Sequence, residues 1–168
     1  LQAKRIKMKL LLDHQVIKKD ILSTNLTSVN TSMLGNLMYS AYKDTIDYEG
    51  ETVEQFIKEI QATLNGKYGK LLSDCSYMIE LKNLPVATTI ISLFKGAPFV
   101  TYNVTHPEHH NKGFSTFLIK KSINSLVEQG YKELFLMVTE GNASAQHMYR
   151  KIGFIEQQGE WDELIKRI

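Results

Sequence analysis

Cysteine is almost missing from this chain. Cys75 stands alone, so no internal disulfide can form and a reducing, cytoplasmic setting is expected. Its neighbours, Ser73-Asp74 and Ser76-Tyr77, offer no base to lower a thiol pKa, so Cys75 reads as a small buried hydrophobe entering a strand. An excess of charge of one sign is missing too. A formal net charge of +2 over 168 residues is too small to argue for nucleic acid or an anionic membrane as a partner. Long apolar runs are also missing. None approaches the roughly 18 residues of a bilayer-spanning helix. The basic start, Leu1 to His14, contains only Met8-Lys9-Leu10-Leu11-Leu12 as an apolar part. That is shorter than the roughly 7–15 residues of a signal-peptide core, and no small-residue cleavage site follows. It reads as a strand or a short amphipathic stretch. No internal repeat, low-complexity tract or Pro/Gly-rich linker interrupts the sequence, so residues 1–168 are taken as one domain. Asn25, Asn30, Asn103 and Asn142 fit the Asn-x-Ser/Thr glycosylation pattern, which carries no meaning in a cytoplasmic chain.

What is present is periodicity. Met33, Leu34, Leu37, Met38, Ala41 and Tyr42 recur at helical spacing, as do Val53, Phe56, Ile57, Ile60 and Leu64. Thr52 is the expected N-cap of the second run, with Gln55 completing a capping box. An acidic loop separates the two. The period then shortens: Ser76–Asn83 and Pro85–Gly96 are rich in β-branched residues and read as a hairpin turning at Lys82-Asn83-Leu84-Pro85. Pro98–Thr105 is a third strand. Gly113 to Gln129 is helical, with Gly130 at the position that ends a helix. Lys132–Thr139 is a buried strand, Ala143–Ile152 a short helix ended by Gly153, and Phe154–Gln158 a strand. Glu160–Ile168 is ambiguous between strand and helix. This order predicts an α/β layer fold with a mixed sheet.

Two segments carry chemistry. In the first, His106, His109 and His110 stand close together. Their His-x-x-His-His spacing encloses a proline and presents no regular helix face. No fourth ligand and no His-Glu-x-x-His pattern accompany them, so no metal is assigned. A phosphate cradle explains more residues. A strand ends at Val104, a loop carries Asn111-Lys112-Gly113, and an amphipathic helix follows. The first N–H groups of a helix lack partners and its dipole favours an anion. Gly113 permits close backbone approach, and Lys112 adds positive charge. In the second segment Asn142 reads as a helix cap, with Ala145, Met148, Tyr149 and Ile152 on the buried face. That reading accounts for every residue except why the aromatic is tyrosine. Asn142 and Tyr149 are about two turns apart and project from one side.

These segments resemble the two signatures of the GNAT superfamily of acyl-CoA-dependent N-acetyltransferases. The first signature, Arg/Gln-x-x-Gly-x-Gly/Ala, is similar to His110-Asn111-Lys112-Gly113-Phe114-Ser115, with His110 and Ser115 as departures. The second, Asn-x-x-Ala-x-x-x-Tyr followed by Gly-Phe, falls on Asn142, Ala145, Tyr149, Gly153 and Phe154. The resemblance spans about Tyr77 to Phe154. It implies a GNAT-type mixed, mostly antiparallel central sheet flanked by about four helices and splayed beside the Pro98–Thr105 strand. It also implies acetyl-CoA as co-substrate, without a metal. The CoA pyrophosphate would lie on the amides of His110 to Ser115, and pantetheine would pair with backbone around Tyr102, Val104 and Thr105. Asn142, Ala145 and Tyr149 would complete that site.

The resemblance assigns Tyr149 as general acid. A phenol of pKa about 10 can protonate a thiolate whose thiol lies near about 8.5. Direct attack by the amine suits a chain without an activated Cys or Ser. Many relatives carry a glutamate base on the strand before the loop, but Phe99–Thr105 holds no carboxylate. Glu140 is the first choice, two residues before Asn142; Glu80, Asp47, Glu51 or a water chain stay open. Tyr42, Asp47, Glu51 and Glu80 are expected around the acceptor, where the loop acids (Asp44, Asp47, Glu49, Glu51) would attract a cation. The expected function is acetyl transfer to a primary amine, either a small molecule or, as an alternative, a peptide or protein. A non-catalytic acyl-CoA-binding domain is the rival reading, and a homodimer is left open.

Overall fold

All strands of the computed structural model, which describes residues 4–26 and 30–166, join one sheet. In chain order the elements are β1 (Arg5–Leu11), β2 (Thr24–Asn25), α1 (Thr31–Tyr42), α2 (Val53–Leu64), β3 (Lys70–Leu71), β4 (Tyr77–Leu81), β5 (Leu84–Phe94) and β6 (Ala97–Thr105). Then come α3 (Phe114–Glu128), β7 (Glu133–Thr139), α4 (Ala143–Ile152), β8 (Ile155–Gln157) and the four-residue α5 (Trp161–Leu164). The strands lie in the order β2-β4-β5-β6-β7-β1-β8, with β3 added to β5. Every pairing is antiparallel except β6 with β7. The expected fold class is borne out, and the ambiguous C-terminal segment supplies the short α5. Within the basic N-terminal stretch, whose residues 1–3 lie outside the described residues, Arg5–Leu11 is a strand with Ile6, Met8 and Leu10 buried by period-2 alternation.

The hairpin between β4 and β5 is tighter than expected. Lys82 and Asn83 alone make the turn, both with positive φ (52° and 65°), as a two-residue turn requires. Leu84 and Pro85 already pair with Leu81 and Glu80. Pro85 sits beside a register shift, where a missing N–H is tolerated. The Thr52 capping box forms as expected, with Thr52 and Gln55 exchanging hydrogen bonds of 2.8 and 3.1 Å. Cys75 is buried just before β4, and burial pushes its thiol up to about 11.

Two helical layers cover the sheet. On one face Leu34, Leu37 and Met38 of α1 and Phe56 and Ile60 of α2 pack on Met78, Ile90 and Val104. On the other, Ile119, Ile123 and Leu126 of α3 and Tyr149 of α4 pack on Met8, Ile91, Val100 and Leu136. Val100 and Val104 should share a face by strand alternation, yet they point to opposite ones. A β-bulge explains this: Ile90 pairs with Tyr102 and Ile91 with Val100, so Thr101 is the extra residue. Beyond it Tyr102 faces α2 and Asn103 faces α4. No helix among the described residues is long and apolar enough to cross a membrane.

The α1–α2 layer depends on one close approach. A Cβ at Gly35 would stand 2.9 Å from the Ile57 backbone and 2.3 Å from its side chain. Gly35→Ala should therefore destabilise the protein by about 1–3 kcal/mol, despite the better helix propensity of alanine. Chemical denaturation checks this; an unchanged midpoint would show that α1 can move aside freely.

Candidate active site

The site begins where β6 and β7 part. These parallel neighbours share a single register pair, Phe99 with Phe135, and diverge toward their C-terminal ends at Thr105 and Thr139. Right-handed twist favours such opening once no ladder hydrogen bonds hold the strands. Helices α3 and α4 start just beyond those ends, so both N-termini point at the gap. Ligands of α/β sheets gather at this position, outside the carboxyl ends of the strands.

The loop from β6 into α3 is shaped by two left-handed residues, Asn111 (φ 64°) and Gly113 (φ 79°). A Cβ at Gly113 would meet no atom within 4 Å, so its backbone angle, not crowding by the protein, calls for glycine. Thr105 and Ser115 hydroxyls lie 2.7 Å apart and tie the strand end to the first turn of α3. Among the described residues, the consecutive backbone N–H groups from Asn111 to Thr116 have no acceptor. An anion fits that concave run of donors. The residues present thus suit a pyrophosphate.

The histidines have other uses. The His106 ring accepts a 3.1 Å hydrogen bond from the Glu108 N–H and caps a single 3-10 turn, Pro107–His109. His109 stacks on Phe114 with ring centroids 6.0 Å apart. Burial and the neighbouring Lys112 charge hold His109 below its usual pKa, so its neutral Nδ1 accepts from the Lys112 ammonium at 2.9 Å. Lys112 is thereby turned aside. The cleft wall on this side is made by His109, His110, Asn111, Gly113, Phe114 and Ser115, so the Lys112 ammonium stands behind His109 and is not itself part of the wall.

Two chambers meet at the splay. The larger, about 640 Å³, runs from this loop to α4; the smaller, about 310 Å³, lies between β6, β7 and the loop after α1. Both are lined by Tyr42, Asp47, Asn103, Asn142, Ala145 and Tyr149, so these residues stand where the chambers join. Asn142 caps α4 by accepting the Ala145 N–H at 3.3 Å. Thr89 donates to Asn103 Oδ1 at 2.8 Å, which orients the amide so that Asn103 Nδ2 donates to the Tyr149 hydroxyl at 3.2 Å. The Tyr149 oxygen is thus occupied as an acceptor and its proton is left for the cleft. Burial raises the Tyr149 pKa, partly opposed by the Asn103 hydrogen bond, so the phenol stays protonated. Tyr42 is also raised, by burial, by Asp47 and by Tyr149, while Arg5 opposes the shift. Asp47 accepts a short hydrogen bond from the Thr139 hydroxyl.

Of the residues singled out from sequence, Val104, Thr105, His110, Asn111, Gly113, Phe114, Ser115, Asn142, Ala145 and Tyr149 line the larger chamber, joined by Tyr42 and Asp47. Glu51 lines the smaller. Glu140 and Glu80 are exposed and line neither; Glu140 ends its strand with its N–H on the Lys4 carbonyl. Sequence reasoning missed Asn103, Thr139, Arg5, Tyr68 and Glu59. Glu59 of α2 accepts from the Tyr102 hydroxyl at 3.0 Å, from Tyr68 and from Lys67 at 2.8 Å. Burial pushes its carboxyl up, but those hydrogen bonds outweigh burial and leave it below the usual range. Tyr68 and Tyr102 form a wall of the smaller chamber. A signal for Asn103 existed: an amide flanked by valines and threonines in a buried strand needs a partner.

A sheet splayed beside the β6–α3 loop, with α4 presenting a tyrosine to the gap, is the fold of the GNAT acetyltransferases, and the resemblance read from the two motifs is borne out. Residues 96–162 match the family model of FR47-like proteins. No curated protein matches the chain in sequence. Solved structures do match in fold. A GCN5-related N-acetyltransferase from Sphaerobacter thermophilus superposes with a TM-score of 0.69 at 14% identity, over 94% of this chain and 50% of that one. The chain therefore spans about half the length of that protein. The ribosomal-protein-S18-alanine N-acetyltransferase of Escherichia coli gives 0.65 at 17% identity, over 82% of this chain and 79% of that one. A predicted acetyltransferase from Clostridium acetobutylicum, solved with acetyl-CoA, gives 0.57 at 15% identity, over 83% and 92%.

The raised phenols make an alkaline prediction. Folding favours the neutral forms of Tyr42, Tyr102 and Tyr149, whereas unfolded phenols ionise near about pH 10. Their contribution to stability is complete below that pH and is lost as pH rises above it. Phenolate absorbance should show a late-titrating group of tyrosines, coincident with falling stability. Titration of all tyrosines near pH 10 in the folded protein would refute this.

Proposed function

We propose that the protein transfers the acetyl group of acetyl-CoA directly to a primary amine, and that the amine belongs to a small molecule. The observation that carries this reading is the Tyr149 hydroxyl, fixed by Asn103 where an anion-cradling cleft meets a smaller, acid-lined chamber. The loop N–H groups of Asn111 to Thr116 would hold the pyrophosphate. The edge of β6 facing the splay would pair with pantetheine. That geometry brings the thioester to the junction.

In the transfer, the acceptor nitrogen attacks the thioester carbonyl carbon; an N–C bond forms and the C–S bond breaks. The acceptor arrives as an ammonium and must first lose a proton. Asp47 replaces Glu140 as the base in this reading, because it stands at the junction with only one oxygen engaged by Thr139. That proton passes on to solvent. Tyr149 protonates the leaving thiolate and regains its proton from the nitrogen as the amide forms. Desolvation around Tyr149 keeps the phenol neutral but makes it a weaker acid, so it gives up its proton only as the C–S bond breaks and thiolate charge develops. The limited volume of the smaller chamber favours a small acceptor over a protein surface.

Titration with acetyl-CoA should show saturable binding; its absence would remove the phosphate cradle. Tyr149→Phe should lower kcat by about a hundredfold while the KM for acetyl-CoA changes little, the pattern of a group needed in the transition state. Unchanged turnover would take Tyr149 out of the mechanism. Release of free CoA in the presence of polyamines, amino acids, aminoglycosides or short peptides separates an enzyme from an acyl-CoA-binding domain.

A further inference from the structure

The smaller chamber contains a cation that acetyl transfer to a simple amine does not use. Arg5, the first residue of β1, lines it together with Asp47 and Glu51. Among the described residues, no carboxylate lies within ion-pair distance of the Arg5 guanidinium. The acids beside it are otherwise engaged: Asp47 holds Thr139, and Glu51 accepts the Glu49 N–H at 2.7 Å. Arg5 is nevertheless close enough to act on the Tyr42 hydroxyl, opposing the effect of Asp47. Its position is set by register, since Arg5 stands directly across from Thr139 in the β1–β7 pair. Directly opposed residues put their side chains on the same face. The guanidinium therefore sits one strand outward from the Thr139–Asp47 hydrogen bond, at the exposed mouth of the chamber.

We infer that this chamber selects an amine that also carries a carboxylate, with the ammonium at Asp47 and the carboxylate on Arg5. The inference rests on the transfer reading for what happens to the amine, but not for its binding. A guanidinium presents a planar fork of N–H donors that matches a carboxylate with two parallel hydrogen bonds. A second ammonium, as in a diamine, would face Arg5 as a like charge. Arg5 and Asp47 are not within ion-pair distance of each other, so a ligand that meets both has to span the gap between them. An ω-amino acid, or lysine through its side-chain amine, carries its two charges at opposite ends of a methylene chain and can span that gap. Tyr42, Tyr68 and Tyr102 supply walls for the methylene chain between the charges.

Three ligands of equal carbon count provide the test: 5-aminovalerate, pentylamine and cadaverine. Calorimetry measures their binding to the protein, and release of CoA from acetyl-CoA measures their turnover. 5-Aminovalerate should bind about five- to tenfold more tightly than pentylamine, the range of a partly exposed charge-assisted pair, with cadaverine weakest. Arg5→Gln should bring 5-aminovalerate and pentylamine together. Arg5→Glu should invert the order and favour cadaverine, an outcome that misfolding would not produce. Equal binding of the three ligands, or an order that survives Arg5→Glu, overturns the inference. The expected binding order without CoA release upholds it and removes the transfer reading. Equal release of CoA from all three upholds transfer and removes the selectivity.

Discussion

One backbone pairing, Phe99 with Phe135, joins two antiparallel half-sheets into one. On one side lie β2, β4, β5 with β3 added to it, and β6; on the other β7, β1 and β8. Each half is internally continuous, so neither needs the other for most of its hydrogen bonds. A longer β6–β7 ladder would close the gap into which both chambers open. The single pairing, the core shared by α3 and α4 and the Asn103–Tyr149 hydrogen bond together fix the tyrosine on α4 relative to the amides at the start of α3. The site thus depends on two strands that meet and then separate.

The Thr101 bulge adds the second constraint. Strand alternation alone would send Tyr102 and Asn103 to the faces opposite those they occupy. The extra residue reverses them, so that Asn103 reaches Tyr149 and Tyr102 reaches Glu59. A polar side chain aimed into a packed layer is costly unless it is paired. Here Thr89, Asn103 and Tyr149 satisfy one another in sequence. The orientation of the phenol is therefore secured by the same bonds that make its burial tolerable.

Much of this was legible in the chain itself. The helical spacing from Met33 to Tyr42, the Thr52 capping box and the glycines after α3 and α4 are local signals, and local physics decides them. Asn142 and Tyr149 share a face because of helical pitch alone. What escaped was decided across the fold. Nothing near Thr101 marks it as a bulge, since bulges depend on the facing strand. Glu140 looked attractive by its distance from Asn142 along the chain, but the strand ends there with its side chain in solvent. Lys112 looked like a phosphate ligand because of its place in the loop, and His109 holds its ammonium instead. Arg5 lay in a basic stretch whose role became visible only once β1 paired with β7.

The short α5 closes the molecule at the vertex of the splay. Trp161, the single tryptophan of the chain, meets Phe99 at 5.3 Å and Phe135 at 5.9 Å between ring centroids, both edge to face. These are the two residues that pair across β6 and β7. An indole in this place is a built-in optical gauge: its emission reports whether the two half-sheets are still in register, independently of what occupies the chambers at the other end.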